Sequence, residues 1–194
     1  EEPLEFSLSF GPTASRSYKN IAITMRTPGN DFELAMGFLF SEGVISNKND
    51  IIKVSRNDGL DDDSNLENTV LIELNESVQL DPDKIRNFYI NSSCGICGSS
   101  MVEGISKIQS MDSNASSLAI DESILRQLPK KLRQKQDAFG ITGGLHASAL
   151  FNIKGEILSL FEDVGRHNAL DKLIGKQINE NALPLSSFGL MLSG

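Results

Sequence analysis

Leu4, Phe6, Leu8 and Phe10 alternate with polar residues, the period of a strand with one face buried, and Gly11-Pro12 breaks the run. Tyr18 to Arg26 predicts a second strand, with Ile21, Ile23 and Met25 on one face. After a Thr27-Pro28-Gly29 turn, Asn30 is placed to cap a helix, and Glu33 three residues later completes a capping box. Leu34, Ala35, Phe38 and Leu39 repeat at helical spacing, and Gly43 marks the end. Ile51 to Arg56 and Thr69 to Leu74 read as two more strands, joined by an acidic, solvated loop from Asp58 to Asn68. Asp81-Pro82-Asp83 opens a short helix, and Phe88-Tyr89-Ile90 leads into a stretch rich in glycine and serine.

In the second half, Ser110 to Ser117 is small and polar and is the best linker candidate. Asp121 to Gln136 predicts a helix with Leu125, Leu128 and Leu132 on one side and Pro129 as a kink or break. Its Lys130, Lys131, Arg133 and Lys135 read as a wet face. Two apolar runs around Asn152-Ile153-Lys154-Gly155 form a hairpin. Leu170, Leu173 and Ile174 then give the apolar face of a last helix, which Gly175 is placed to terminate. The mixture predicts an α+β or α/β chain in two parts, an N-terminal α+β domain over residues 1–115 and a second domain over 116–194.

Composition narrows the function. The chain has 194 residues, 39% of them hydrophobic, and a net charge of −8 with no long basic run. Nucleic-acid binding is therefore not the expected role. No apolar run approaches the ~18 residues of a membrane span. Two cysteines in this length do not build a disulfide framework, and a reducing cytoplasm fits. The start at Glu1-Glu2-Pro3 has no signal-peptide pattern, and the end at Leu192-Ser193-Gly194 reads as the edge of a fragment.

Both cysteines fall in Ser92-Ser93-Cys94-Gly95-Ile96-Cys97-Gly98-Ser99-Ser100. Glycine on both sides permits sharp turns and keeps sulfur approachable. Ser99 to Ile108 reads as a helix, placing Cys97 near an N-terminus that favours a thiolate. A thiol with pKa ~8.5 is about 3% ionised at pH 7, and one lowered to ~7 is about half ionised. Sulfur nucleophilicity is the leading reading. Half of a zinc site, a thioredoxin-type redox pair and an idle pair remain open beside it. The last third adds Gly143-Gly144-Leu145-His146, where backbone can approach a ligand closely. It also adds a run from Glu162 to Lys172 with seven polar or charged side chains at one helix start. A solvent-exposed helix accounts for the carboxylates and the lysine of that run, and less well for Arg166-His167-Asn168.

Four stretches carry a resemblance that spans nearly the whole chain. They are Met25-Arg26-Thr27-Pro28-Gly29 with the helix through Phe38-Leu39-Phe40-Ser41-Glu42-Gly43, then Ser93-Cys94-Gly95-Ile96-Cys97-Gly98, then Thr142-Gly143-Gly144-Leu145-His146-Ala147, and last Glu162-Asp163-Val164-Gly165-Arg166-His167-Asn168-Ala169-Leu170-Asp171-Lys172. In this order they resemble the FdhD family, accessory sulfurtransferases required for formate dehydrogenase activity. The resemblance implies a carrier that takes persulfide sulfur from a cysteine desulfurase. It then passes the sulfur to a molybdenum (or tungsten) bis-pterin guanine dinucleotide cofactor before insertion into the formate dehydrogenase catalytic subunit. Cys94 and Cys97 are then the sulfur-handling pair. Gly143, Gly144, His146, Arg166 and His167 are candidates for holding the cofactor. The resemblance also implies a homodimer and a C-terminal three-layer α/β/α domain like cytidine deaminase, incomplete here at its C-terminal end.

Deaminases of that fold hold zinc with a His-x-Glu and a Pro-Cys-x-x-Cys on two helix starts. Here the first reads Arg166-His167-Asn168-Ala169, without the glutamate, and the second would begin just past Gly194. Zinc hydrolysis is not expected, nor a permanently bound metal. Cys94, Cys97, His146 and His167 do count to four ligands for a zinc-binding adaptor. The spacing of 21 positions from His146 to His167 is unlike the short spacing of zinc fingers. A Cys-x-x-Cys thiol oxidoreductase is the other alternative.

Overall fold

A computed structural model describes residues 1–56, 68–78, 80, 88–90, 119–136 and 143–193. In chain order its elements are β1 (Glu2–Phe10), β2 (Ser17–Arg26), α1 (Asp31–Ser41), β3 (Ile51–Arg56), β4 (Thr69–Leu74), β5 (Phe88–Ile90), α2 (Glu122–Lys135), β6 (His146–Phe151), β7 (Ile157–Asp163), α3 (Arg166–Asn179) and β8 (Gly189–Leu192). The strands form a five-stranded sheet of order β3-β4-β1-β2-β5 and a three-stranded sheet of order β7-β6-β8. The expected loop from Asp58, the helix at Asp81, the helix after the cysteines and the Ser110–Ser117 linker lie outside the described residues, as do Cys94 and Cys97.

β1 is the centre of the first sheet, antiparallel to β2 and parallel to β4. Leu4, Phe6 and Leu8 are at most 1% exposed, as their spacing predicts, but Ser7 and Ser9 between and after them are buried too, at 7% and 1%, so this central strand is covered on both faces and not on one. Leu4, Phe6 and Leu8 join Leu34, Ala35, Phe38 and Leu39 of α1 and Val70, Ile72 and Leu74 of β4 in one core. Ile178 of α3 is part of the same core, so the C-terminal helix completes the N-terminal sheet's packing.

The expected face of β2 is corrected by a bulge. Phe6 pairs with Ala22 and Ser7 with Asn20, which leaves Ile21 as an extra residue. A bulge re-aims every side chain beyond it. Thr24 and Arg26 are therefore sealed in at 1% and 2% exposure, while Ile23 is 37% exposed.

Helix α1 begins after Asn30 as expected, but Asn30 takes a left-handed backbone (φ 57°) and its side chain caps nothing. Its carbonyl instead accepts the first helical bond, from Leu34 N at 2.9 Å. Gly43, at φ 70°, ends the helix as glycine can. Helix α3 does not stop at Gly175 and runs on to Asn179. Gly175 is needed for a different reason. A Cβ there would strike the Glu33 carbonyl of α1, and one at Gly37 would strike the Asp171 carbonyl of α3. The two helices cross backbone to backbone through this glycine pair.

Helix α2 is capped by Asp121, whose carboxylate accepts Ser123 N at 2.8 Å, and passes through Pro129 without ending. Leu128 and Leu132 are buried, but Leu125 is 46% exposed and does not share their face. Leu132 packs on Ala147 and Ala149 of β6. The basic face is only partly wet, since Lys131 Nζ donates to Gly155 O at 2.9 Å and Lys135 Nζ to Ile157 O at 3.1 Å. These bonds fasten α2 to the β6–β7 hairpin.

Candidate functional site

The polar run after β7 divides into an outward and an inward set. Arg166 and His167, in the first turn of α3, are exposed, and neither side chain makes a hydrogen bond or ion pair among the described residues. Gly165 precedes them as N-cap with no side-chain cap. A helix start of this kind presents N–H groups and partial positive charge together with two basic side chains. His146 opens β6 directly opposite Asp163 of β7, so the chain entering β6 through Gly143 and Gly144 arrives at the same end of the sheet as the α3 start. Gly143 and Gly144 are exposed, and Gly143 holds a positive φ of 69° that favours glycine. His146 is half-buried. The backbone thus brings the glycine pair, His146, Arg166 and His167 to one end of the second sheet. Among the described residues no group of His, Cys, Asp and Glu is arranged to hold a metal ion.

The inward set is a closed network that locks this end to the first sheet. Asp163, fully buried, receives Lys172 Nζ at 2.6 Å, Thr27 N and Asn168 Nδ2 at 3.1 Å, and Gly165 N at 3.0 Å. Lys172 also donates to Thr27 O at 2.8 Å, and Val164 N donates to Thr27 Oγ1 at 3.0 Å. Asn168 adds a bond from Nδ2 to Met25 O at 2.8 Å and accepts Thr24 Oγ1 at 3.2 Å. A charge pair sealed from water stands only when its remaining donors and acceptors are also met, and here they are.

A second ion cluster braces the same turn. Arg26 donates two bonds to Asp31, at 2.9 and 3.1 Å, and one each to Glu2 and Asn68. Burial opposes its charge, but the bonds to Glu2 and Asp31 prevail and hold its pKa up. Arg56 reaches Asp31 at 2.9 Å from β3. On the far side of α3, Ser41 Oγ meets Asp171 Oδ1 at 2.7 Å. Burial pushes the Asp171 carboxyl up to about 7 despite that bond, with Glu42 adding to the rise.

The sequence reading missed Asp163, Asn168, Lys172, Thr24 and Thr27 as site-forming residues. The crowding of polar side chains at one helix start was the available signal. A solvated helix does not account for it, because Asp163, Asn168, Asp171 and Lys172 are all buried. An open groove of about 600 Å³ runs beside β7 between Thr27 and Lys135, and none of the five cofactor candidates lines it.

β5 relates the cysteines to this end. It pairs parallel to β2 with Ile90 beside Thr24, so both strands leave the sheet in the same direction. Chain connectivity alone keeps the Cα of Cys94, four residues on, within about 15 Å of that of Ile90.

Comparison with known proteins agrees with this architecture. The chain superposes with a TM-score of 0.59 over 99% of its length on 74% of a crystal structure assigned as a formate dehydrogenase accessory protein from Desulfotalea psychrophila. At 16% identity the likeness is one of fold. Residues 5–194 match the FdhD/NarQ family. The sulfur carrier protein FdhD of Saccharolobus solfataricus is 40% identical over 195 residues, covering 100% of this chain and 67% of the relative. The protein of that name from Picrophilus torridus is 43% identical over 194 residues, covering 100% of this chain and 68% of the relative. That from Mycobacterium tuberculosis is 38% identical over 199 residues, covering 100% and 69%. The chain belongs to the FdhD/NarQ family, as its four motifs led us to expect.

Proposed function

We propose that this protein is a sulfur carrier serving formate dehydrogenase, with Cys94 as the sulfur-accepting residue. The observation that carries the proposal is the parallel β2–β5 register, which fixes Ile90, four residues before Cys94 in the sequence, beside Thr24 of the strand bonded to α3. Family membership and the names of the relatives support the role.

The Cys94 thiolate attacks the outer sulfur of a cysteine desulfurase persulfide. A new Cys94–S bond forms, the donor's S–S bond breaks, and the donor cysteine leaves as a thiolate. Cys97 then attacks Cys94 Sγ, forming a disulfide and expelling hydrosulfide. The two cysteines supply the two electrons that turn sulfane sulfur into sulfide, and the disulfide needs later reduction by a thiol. The acceptor is the molybdenum or tungsten of a bis-pterin guanine dinucleotide, held as cargo. Arg166 meets its phosphates with positive charge, and His167 and the α3 N–H groups meet them as hydrogen-bond donors. Gly143 and Gly144 let backbone approach it, and His146 borders the same end. Arg166 and the positive end of α3 provide the local attraction that a net charge of −8 does not.

The reading extends to a cytoplasmic homodimer and a deaminase-like C-terminal unit. Support for the last is the β6-β7-α3-β8 order, in which α3 returns the chain to the other side of β6. Intact-mass measurement after incubation with desulfurase and cysteine tests the role. One added sulfur, removable by reductant and lost in Cys94→Ser, is expected. Retention in Cys94→Ser and loss in Cys97→Ser would reverse the assignments.

A further inference from the structure

Among the described residues β7 is bonded to β6 alone, and the groove of about 600 Å³ runs along its free side. The direction of its backbone groups follows from β6. Ala147 N donates to Ser193 Oγ at 2.7 Å and Ala147 O accepts from Ser193 N at 2.8 Å, so the backbone of Ala147 faces away from β7. Alternation turns His146 and Ser148 toward β7, where they pair with Asp163 and Phe161. The N–H and C=O of Leu160 therefore point out from the sheet, and Leu160 lines the groove. Lysine guards both ends of this edge. Ile157 O accepts Lys135 Nζ at 3.1 Å and Glu162 O accepts Lys172 Nζ at 3.5 Å. Such lysines, and the bulge that leaves Leu158 without a partner on β6, are ways of blunting a free edge. Leu160 lies between the guards and has no such cap.

Charge selects what fits there. From Ser123 to Lys135 helix α2 carries five basic residues and no acidic one, in a chain whose net charge is −8. Lys130, Arg133 and Lys135 are exposed, and Gln134 and Lys135 line the groove. A second copy pairing β7 with β7 would bring its own basic α2 to the same face of the joined sheet, where like charges repel. An acidic strand meets attraction instead. We propose that the open edge at Leu160 is a docking site for an extended, acidic peptide segment of a partner protein, added to the second sheet as a further strand beside β7. This site is separate from the cysteines and from the α3 start, so it does not depend on the sulfur-carrier reading.

The full chain is mixed with a fluorescein-labelled peptide of alternating Glu and Val. Binding is followed by fluorescence anisotropy, and amide hydrogen exchange is read across β7. Backbone pairing asks only extension and charge of the peptide, so binding is expected, with slowed exchange at Leu160. The same peptide N-methylated throughout keeps its charge but has no N–H to donate, and it is expected to bind at least about tenfold more weakly. Lys135→Gln is expected to weaken binding about two- to fivefold and to flatten its salt dependence. Equal binding of the N-methylated peptide would overturn the proposal by reducing the contact to charge. Unchanged affinity in Lys135→Gln, binding that leaves Leu160 exchange untouched, or no binding of the Glu–Val peptide would each overturn it as well. So would protection of Leu160 that rises with protein concentration in the absence of peptide, which would give the edge to a second copy.

Discussion

Lys172 Nζ lies 2.6 Å from Asp163 Oδ2, with neither side chain more than 2% exposed. The pair belongs to the second sheet and its helix, but it also bonds the backbone N–H and C=O of Thr27, which follows β2. Lys172→Met removes the cation and strands a buried carboxylate. The expected loss is about 3–5 kcal/mol, read as a lower urea midpoint. Lys172→Arg is not expected to restore it, because a planar fork cannot replace a compact ammonium between Thr27 O and Asp163.

The glycine crossing of α1 and α3 makes a second demand. At Gly37 and at Gly175 the atoms an added methyl would meet include the facing helix's backbone, which no rotamer change can clear. Gly37→Ala and Gly175→Ala are each expected to reach or exceed the upper part of the roughly 1–3 kcal/mol range of overpacking. The double variant should lose less than the sum, since one separation of the helices relieves both contacts. Thermal or urea denaturation of the three variants checks this.

Asp171 gives a signed pH dependence. Its folded pKa of about 7 lies above the ordinary carboxylate value because burial disfavours its charge. Between about pH 4 and 7 the folded protein keeps a proton that the unfolded chain has released. This group's contribution to stability therefore falls as pH rises through that window and is flat above it. Asp171→Asn should remove that slope, so the difference between wild-type and variant urea midpoints should change from pH 4 to 7 and level off beyond.

Arg166 and His167 are expected to act on cargo binding and not on folding, because both are exposed. Arg166→Ala should weaken affinity for the bis-pterin guanine dinucleotide about tenfold or more, the worth of a charge-assisted bond. Persulfide loading of Cys94 should be unchanged. Titration calorimetry with the isolated cofactor, beside intact mass, separates the two.

Much of the fold was legible because local pattern and burial agree. Leu4, Phe6 and Leu8 are apolar at every second position and all are buried, and the β6–β7 hairpin turns at Asn152 to Gly155 as its composition predicts. Where reading failed, a distant contact outweighed a local signal. Ile21 carries a bulge that turns Ile23 outward, and no periodicity announces it. Gly175 looked like a helix end because its real neighbour, Glu33 of α1, is remote in sequence. At the site, Gly143, Gly144, His146, Arg166 and His167 were singled out by residue type together with the family resemblance of the motifs that hold them. The lock behind them was not, because Thr27 and Asp163 are 136 residues apart. A lysine such as Lys172 reads as solvated until its partners are known.

Movement of sulfur through Cys94 is tested most directly by following isotopically labelled sulfur from cysteine. Desulfurase, this protein and sulfur-free formate dehydrogenase cofactor are combined, and label on the cofactor is measured. The expected result is label that arrives with wild type and is absent with Cys94→Ser. Equal labelling with Cys94→Ser, or with the protein omitted, would contradict the carrier role.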